Sequence, residues 1–598
     1  MRSDIKYILL FITAALAAGT GYHLYDLHAQ GDLWGKWPIV LLTSQWLFVV
    51  LLFEKKYTKN PKGLRWLGLS TLSGVLLSLG FPTLPLTFLM FGAFVPLLMV
   101  EKEIADEQEG TAKWEVLKYT YHTFVLWNIL TTYWVANTAF VAAFVAILLN
   151  ALFMCVPFLL FHQTKKVLNP RFGYLALAFF WMAFEYGHLR WEISWPWLTL
   201  GNSFAQFPSW VQWYEYTGVF GGTFWILLTN IFGMQMLESR YYDRTRVFNS
   251  LLVKSILLVT VPLAVSWYMY ATHEEKGVAK EVVVIQPNYE PHYEKFTVRK
   301  EEQVRHFIEL SKQGLSDSTD YLLFPETVFL GQRNDLIGKQ GATKAIKDFV
   351  DKYPGLKLVT GLGTLQVFKG DIPKRSSIRE HIRNTGEKVY YENYNAAVQM
   401  TSGSDVIPIY YKSKLVPGAE ITPYVGFFWF LEPFIDKLGG SLNGHGTQIK
   451  RSVFKSGEVA VAPVICYESI YGEYTTQYMQ RGIEGNVIFI VTNDGWWDDT
   501  DGHRQHLAFA SLRAIETRRS IARAANTGIS AFVNQRGDIL QATAYGEDAV
   551  VKGNVHINNE VTFYMIWGDL LGRLSSFAAF MILLSMFVNT WKLRKKKK

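Results

Sequence analysis

Ten apolar runs set the pattern of the chain, near 6–25, 37–53, 66–81, 84–100, 118–136, 139–161, 173–189, 217–237, 251–271 and 574–591. A helix needs ~20 mainly apolar residues to cross a bilayer, so the pattern predicts ten membrane helices, nine before residue 275 and one near the C-terminus. The first run has little of a cleavage-site pattern and more spans follow it, which reads as a retained helix. Between about 281 and 561 the pattern changes to short β-rich runs at 282–285, 321–324, 356–360, 396–400, 459–465, 487–491 and 529–533. Helical stretches at 296–314, 341–352 and 504–523 separate several of them. This alternation predicts a layered α/β domain around a buried sheet. The chain divides into a multi-helix transmembrane segment at 1–276, an extramembrane domain at 277–565, and a final span with a basic tail at 566–598.

Composition sharpens that division. Half of the residues are hydrophobic and only 18% are charged, against about a quarter in an ordinary soluble chain. The Lys/Arg clusters lie at Lys55, Lys56, Lys59, Lys62 and Arg65, at Lys165, Lys166 and Arg171, at Arg240, Arg244 and Arg246, and in the tail from Lys592 to Lys598. With ten helices all of these fall on one side, and positive loops stay cytoplasmic. The C-terminus is then cytoplasmic and the α/β domain lies on the other side of the membrane. The net charge of +8 is largely that of topology-setting loops and requires no nucleic acid.

The chain has two cysteines. Cys155 lies inside an apolar run, whereas Cys466 ends the strand-like run 459–465. With its only potential partner at membrane depth, Cys466 is expected to remain a free thiol, placed where a strand breaks into a turn. A thiol becomes a nucleophile beside a base or a positive charge. Glu326, after Phe324-Pro325, supplies a carboxylate at another strand end. Lys412 and Lys414 are equal candidates by residue type for a cation that steadies an oxyanion. Gly361-Leu362-Gly363 is too short for a phosphate loop. His503 and His506 have metal-ligand spacing, but no carboxylate or cysteine set completes a site, and they read as a polar helix face. Glu185, His188 and Arg190 read as interfacial residues at the outer end of a span.

The ordered set Phe324-Pro325-Glu326-Thr327, Tyr411-Lys412-Ser413-Lys414-Leu415-Val416-Pro417 with Glu420, Ile465-Cys466-Tyr467-Glu468 and Asn493-Asp494-Gly495-Trp496 resembles the nitrilase superfamily. More narrowly, it is similar to the membrane-bound apolipoprotein N-acyltransferases, as are the stretches from Arg513 to Arg518, from Arg523 to Ile529, and Trp195-Pro196-Trp197-Leu198. The resemblance covers roughly 66–592, so the first ~65 residues form an extra two-helix extension. It implies an αββα sandwich for the extramembrane domain. The family spacing places the catalytic lysine three positions before Leu415, at Lys412. Cys466 is then the implied nucleophile, Glu326 the general base and Lys412 the oxyanion stabiliser. Glu420, Tyr467 and Glu468 are implied as supporting residues, and Trp197 and Trp496 as substrate-binding aromatics. The sequence departs from the family at Pro417-Gly418-Ala419-Glu420, where an aromatic is usual, and at Gly495-Trp496-Trp497.

The implied reaction moves an acyl chain from a phospholipid to Cys466 and then to the α-amine of a diacylated lipoprotein, without cofactor or metal. The implied setting is a monomer in the bacterial inner membrane with a periplasmic catalytic domain, in contact with membrane lipids. Two other readings compete: a membrane-anchored amidase or nitrilase, and a non-catalytic lipid-binding protein.

Overall fold

The structure, a computed structural model, describes residues 3–107, 112–424 and 444–596. Its long helices are α1 (Ser3–Gln30), α2 (Trp37–Leu52), α3 (Gly63–Leu79), α4 (Val95–Glu107), α5 (Ala112–Thr132), α6 (Phe140–Val167), α7 (Pro170–His188), α8 (Val219–Tyr241), α9 (Thr245–Thr272), α10 (Lys300–Gly314), α11 (Gly341–Val350), α12 (Asp501–Thr517) and α13 (Leu570–Lys596). The apolar runs thus become α1–α9 and α13, with two revisions. The run at 84–100 splits into a 3-10 turn at Thr87–Phe91 and α4, which continues past it into polar sequence. Glu101 on α4 is buried, where it pairs with Lys165 at 2.5 Å and meets His162 Nδ1 at 2.7 Å. Among the described residues, five helices (α1, α6, α8, α9 and α13) have the length and hydropathy to cross a membrane; α2 and α3 are shorter apolar helices. Helix α5 carries Lys, Glu, His and Thr, yet most of it is buried within the bundle. Neighbouring helices engage some of its polar side chains: Thr123 donates to Ser70 O and Asn128 accepts from Asn150.

The extramembrane domain holds fourteen strands: β1 (Val278–Gln286), β2 (Tyr321–Leu323), β3 (Phe329–Arg333), β4 (Lys357–Phe368), β5 (Ile378–Ile382), β6 (Lys388–Thr401), β7 (Ile409–Tyr411), β8 (Phe454–Ser456), β9 (Val459–Ile465), β10 (Val487–Thr492), β11 (Ile521–Ala525), β12 (Ala531–Val533), β13 (Ile539–Leu540) and β14 (Ala549–Ile557). One sheet runs β14-β1-β2-β4-β6-β5, with β3 on β4 and β7 on β6. The second runs β13-β12-β11-β10-β9-β8. The sheets face one another, β1 lying against β11 and β6 against β9. Every residue of β9, β10 and β11 is buried, as expected for parallel strands covered on both faces. α10 and α11 cover the outside of the first sheet. α12 covers the second and is itself covered by the helical body, through the 3-10 segment Leu200–Gln206 and through α5. The result is an αββα sandwich with one helical layer pressed against the membrane helices.

That burial corrects two readings. His503 and His506 are not a polar face: both are fully covered on α12. Residues 518–523, expected to prolong this helix, instead leave it. Arg518 takes a left-handed conformation and β11 follows at Ile521.

Candidate active site

Three strand ends meet at the seam between the sheets. β2 stops at Leu323, and Phe324-Pro325 carries Glu326 across β4, where Gly361 N donates to Pro325 O and Val328 N to Gly361 O. A Cβ at Gly361 would lie 2.6 Å from Glu326 Cα, so only glycine lets the two backbones pass this closely. β7 pairs with β6 up to Tyr411, and Lys412 N then bonds Asn395 O at 2.8 Å. From the second sheet β9 ends at Ile465, and Cys466 turns with φ of 47°, a region that non-glycine residues seldom occupy and that clusters at functional sites.

Lys412 is 1% exposed, and its Nζ lies 3.1 Å from Glu326 Oε1 and 2.9 Å from Glu420 Oε1. Asn395 Nδ2 donates to the same two oxygens, at 2.7 and 2.9 Å. Glu420 Oε2 accepts from Val416 N at 2.9 Å. Burial works against the Lys412 ammonium, but the charges of Glu326 and Glu420 outweigh it and hold the amine protonated well above its usual range. Burial likewise opposes ionisation of Glu420, and the Lys412 charge overrides it to lower that carboxyl. The Cys466 thiol is pushed strongly upward, first by burial and then by the Glu326 charge, with Lys412 only partly offsetting them. With the thiol neutral, two carboxylates and one ammonium leave the cluster at one net negative charge. A standing thiolate would add a second in a buried site. Passing the thiol proton to Glu326 as a sulfur attack proceeds would leave the net charge unchanged.

The remaining expected residues divide by position. Glu468 does not face the thiol. Its Oε2 accepts from Ile465 N at 2.9 Å, and its Oε1 from Ser413 N at 2.7 Å, Tyr410 Oη at 2.9 Å and Tyr474 Oη. It therefore ties the cysteine turn to the lysine turn, with Arg451 3.9 Å away. Burial raises this carboxyl, opposed by Arg451 and by those N–H groups. Tyr467 donates to Ser194 O at 3.0 Å, anchoring the cysteine turn to the helical body. Lys414 is directed away, its Nζ over the Tyr471 ring and 3.5 Å from Leu189 O.

Residues 73–232 match the family described as Apolipoprotein N-acyltransferase N-terminal domain, and residues 282–559 match Carbon-nitrogen hydrolase. Three proteins named apolipoprotein N-acyltransferase align along nearly their whole lengths. That of Chlorobaculum tepidum is 28% identical over 84% of this chain and 93% of its own. That of Geobacter metallireducens is 26% identical over 84% and 91%, and that of Aquifex aeolicus 24% over 80% and 96%. The chain belongs to the apolipoprotein N-acyltransferase family.

The two tryptophans implied by that family each sit in an aromatic group. Trp197 is buried in an aromatic group with Trp134, Trp497, His506 and Phe509. Trp496 is half-buried against His292 and Phe296, and its carbonyl accepts from Thr138 Oγ1 at 3.0 Å. Sequence reasoning missed a second network behind Cys466. His506 Nδ1 lies 3.0 Å from Asp494 Oδ1, and its Nε2 lies 2.8 Å from Ser469 Oγ and 3.2 Å from Cys466 O. Arg523, on β11, pairs with Asp494. Ligand atoms of Cys466, Asp494 and His506 lie within 4.8 Å of one another, but the Arg523 guanidinium already supplies the cation of this cluster and the donors are engaged. The set fits an ion-pair brace better than a metal site. The signal was present as two histidines at helical spacing; what hid it was the burial of α12 against the membrane helices.

Proposed function

We propose that the chain transfers an acyl group from a phospholipid, through a Cys466 thioester, to the N-terminal α-amine of a diacylglyceryl-cysteine lipoprotein. Supporting this reading above all is one observation: a buried Lys412 ammonium shared by Glu326 and Glu420 near the strained turn at Cys466. Glu326 takes the thiol proton while sulfur adds to the ester carbonyl, and Lys412 stabilises the oxyanion. Collapse breaks the C–O bond, and the leaving lysophospholipid oxygen takes the proton from Glu326. In the second half the neutral amine attacks the thioester, and its proton passes through Glu326 to the departing sulfur. An α-amine titrates near pH ~8, within reach of carboxylate-assisted deprotonation.

Both substrates are lipids, which accounts for joining a nitrilase-like domain to a membrane body. On this reading residues 1–276 and 566–598 hold the enzyme in the bacterial inner membrane as a monomer. Residues 277–565 work on the periplasmic side, and the C-terminus is cytoplasmic. Incubating the purified protein with phospholipid alone tests the first half-reaction. Mass spectrometry is expected to find one acyl group on the Cys466 peptide, absent in Cys466→Ala and discharged by a diacylated lipopeptide. No adduct on the wild-type protein would falsify the reading.

A further inference from the structure

The helices that precede the matched family segment, α1 and α2, line one side of a half-open cavity of about 810 Å³, with α5 and α6 on the other. Its wall includes Ala14 and Ala17 of α1, Leu42 and Val49 of α2, and Phe144 and Leu148 of α6. Ala14, Ala17 and Ala18 recur at helical spacing on one face of α1, and their short side chains leave the trough open opposite the larger residues of α6. The lining is nearly all hydrocarbon. Trp46 spends its N–H on His122 Nδ1 at 3.1 Å, leaving Gln45 as the other polar lining residue. The volume falls in the range of small-ligand sites, and a lining this apolar suits a hydrocarbon chain better than a soluble ligand.

The cavity lies along a helix whose first turn meets the loops around the proposed site. The α6 face from Phe140 to Leu148 runs about 12 Å along the helix axis. The start of α6 sits beneath both loops that border the triad: Gly418, two residues before Glu420, rests on Ala142, where an added Cβ would be 3.9 Å from the alanine Cβ. Thr138, just before α6, holds the Trp496 carbonyl. The α1–α2 turn docks on the same rim. Gly35 N donates to Asp498 Oδ2 at 2.6 Å, Asn137 Nδ2 bridges Gly35 O at 3.0 Å and Trp497 O at 3.2 Å, and Trp34 packs edge-on against Phe140, itself a cavity residue. The extension therefore forms one wall of the cavity and holds the loop at its mouth.

We infer that the α1–α2 extension builds a binding site for one acyl chain of the donor phospholipid, with the chain lying along α6 and its ester end leading toward Cys466. The inference rests on the acyl-transfer reading above. The full-length protein is tested with a phosphatidylethanolamine bearing a diazirine in one acyl chain, followed by peptide mapping. Label is expected on 14–18, 42–49 and 140–148, and excess unlabelled phospholipid is expected to displace it. Ala17→Trp and Leu148→Trp, which fill the cavity from opposite walls, are expected to lower the preference of Cys466 acylation for a sixteen-carbon over a six-carbon donor about tenfold, the equivalent of roughly two buried methylenes. Three results would overturn the inference: label spread evenly over all lipid-facing helices, label delivered by a diacylated lipopeptide instead of the donor, or a preference within twofold of wild type in both variants. If wild-type Cys466 forms no adduct with either donor, the acyl-transfer reading fails instead, so the two failures are distinguishable.

Discussion

Burial and the Glu326 charge outweigh Lys412 and push the Cys466 thiol up, and on the proposed reading its reactivity depends on how well its turn is held. His506 holds that turn from behind through Cys466 O and Ser469. His506→Ala is expected to slow Cys466 acylation roughly 100-fold, the scale of a small misplacement of a reacting group, with the donor KM within about twofold. His506→Gln, which keeps a donor near Cys466 O, is expected to recover part of the loss in the same single-turnover assay. Lys295 is a second hidden support, its Nζ donating to Glu326 O at 3.1 Å and Thr327 Oγ1 at 3.0 Å. Burial lowers it to about 8 from 10.5, with the Glu326 charge opposing. The folded protein therefore releases this proton more readily than the unfolded chain. Between those two pH values the unfolded state binds more protons, and the Lys295 contribution to stability rises with pH. The thermal midpoint of wild type relative to Lys295→Met is expected to climb from pH 8 to pH 10.5; a flat difference would remove Lys295 from the account. The proposed Glu326, Lys412 and Cys466 stood out in the sequence because they end apolar strands within compact motifs. Asn395, His506 and Lys295 were not, because their importance comes from what the fold brings beside them.

At the level of elements, apolar runs located nearly every helix and buried strand, and failed where neighbours overrode local preference. Ile521-Ala-Arg-Ala-Ala525 has the composition of a helix but forms β11, because it lies between β10 and β12 with every residue covered. That error also hid Arg523, which a continued helix would have carried away from Asp494. The run at 84–100 failed differently: its polar continuation is helical because Lys165 and His162 compensate Glu101. The strand crossings are more exacting than the helices. Gly361→Ala would press a methyl group to 2.6 Å from Glu326 Cα and 2.8 Å from Pro325 O. It is expected to lower the thermal midpoint and the acylation rate together. Glu468→Ala removes the acceptor that joins the cysteine and lysine turns and leaves Arg451 without its carboxylate. The expected cost is about 3–5 kcal/mol, the scale for breaking a buried pair, read by chemical denaturation.

Across the whole molecule, the domain and the membrane body are joined by specific contacts rather than a tether. Arg190, beyond α7, pairs with Glu473 and with Asp569 at the foot of α13, and Arg573 of α13 returns to Glu473 at 2.7 Å. Arg518 reaches Glu215 at 2.5 Å and Gln212 Oε1 at 2.6 Å. The proposed orientation is open to a labelling test. Both native cysteines are buried, so an impermeant maleimide should meet little background in intact spheroplasts. Ser318→Cys is expected to react from outside, and Arg594→Cys only after lysis; the reverse pattern would invert the topology. One apolar core runs unbroken from the helical bundle through α12 into the second sheet. This constrains the order in which the protein can be made. The α/β domain emerges with the outer face of α12 bare, and that face is covered only by helices already in the bilayer. The last helix, synthesised after everything it fastens, then closes the Arg190–Glu473–Arg573 contacts. Cut free of the bundle, α12 would lose the partners of Gln505, Asp501 and Phe509, so the α/β domain is expected to be unstable as an independent soluble protein.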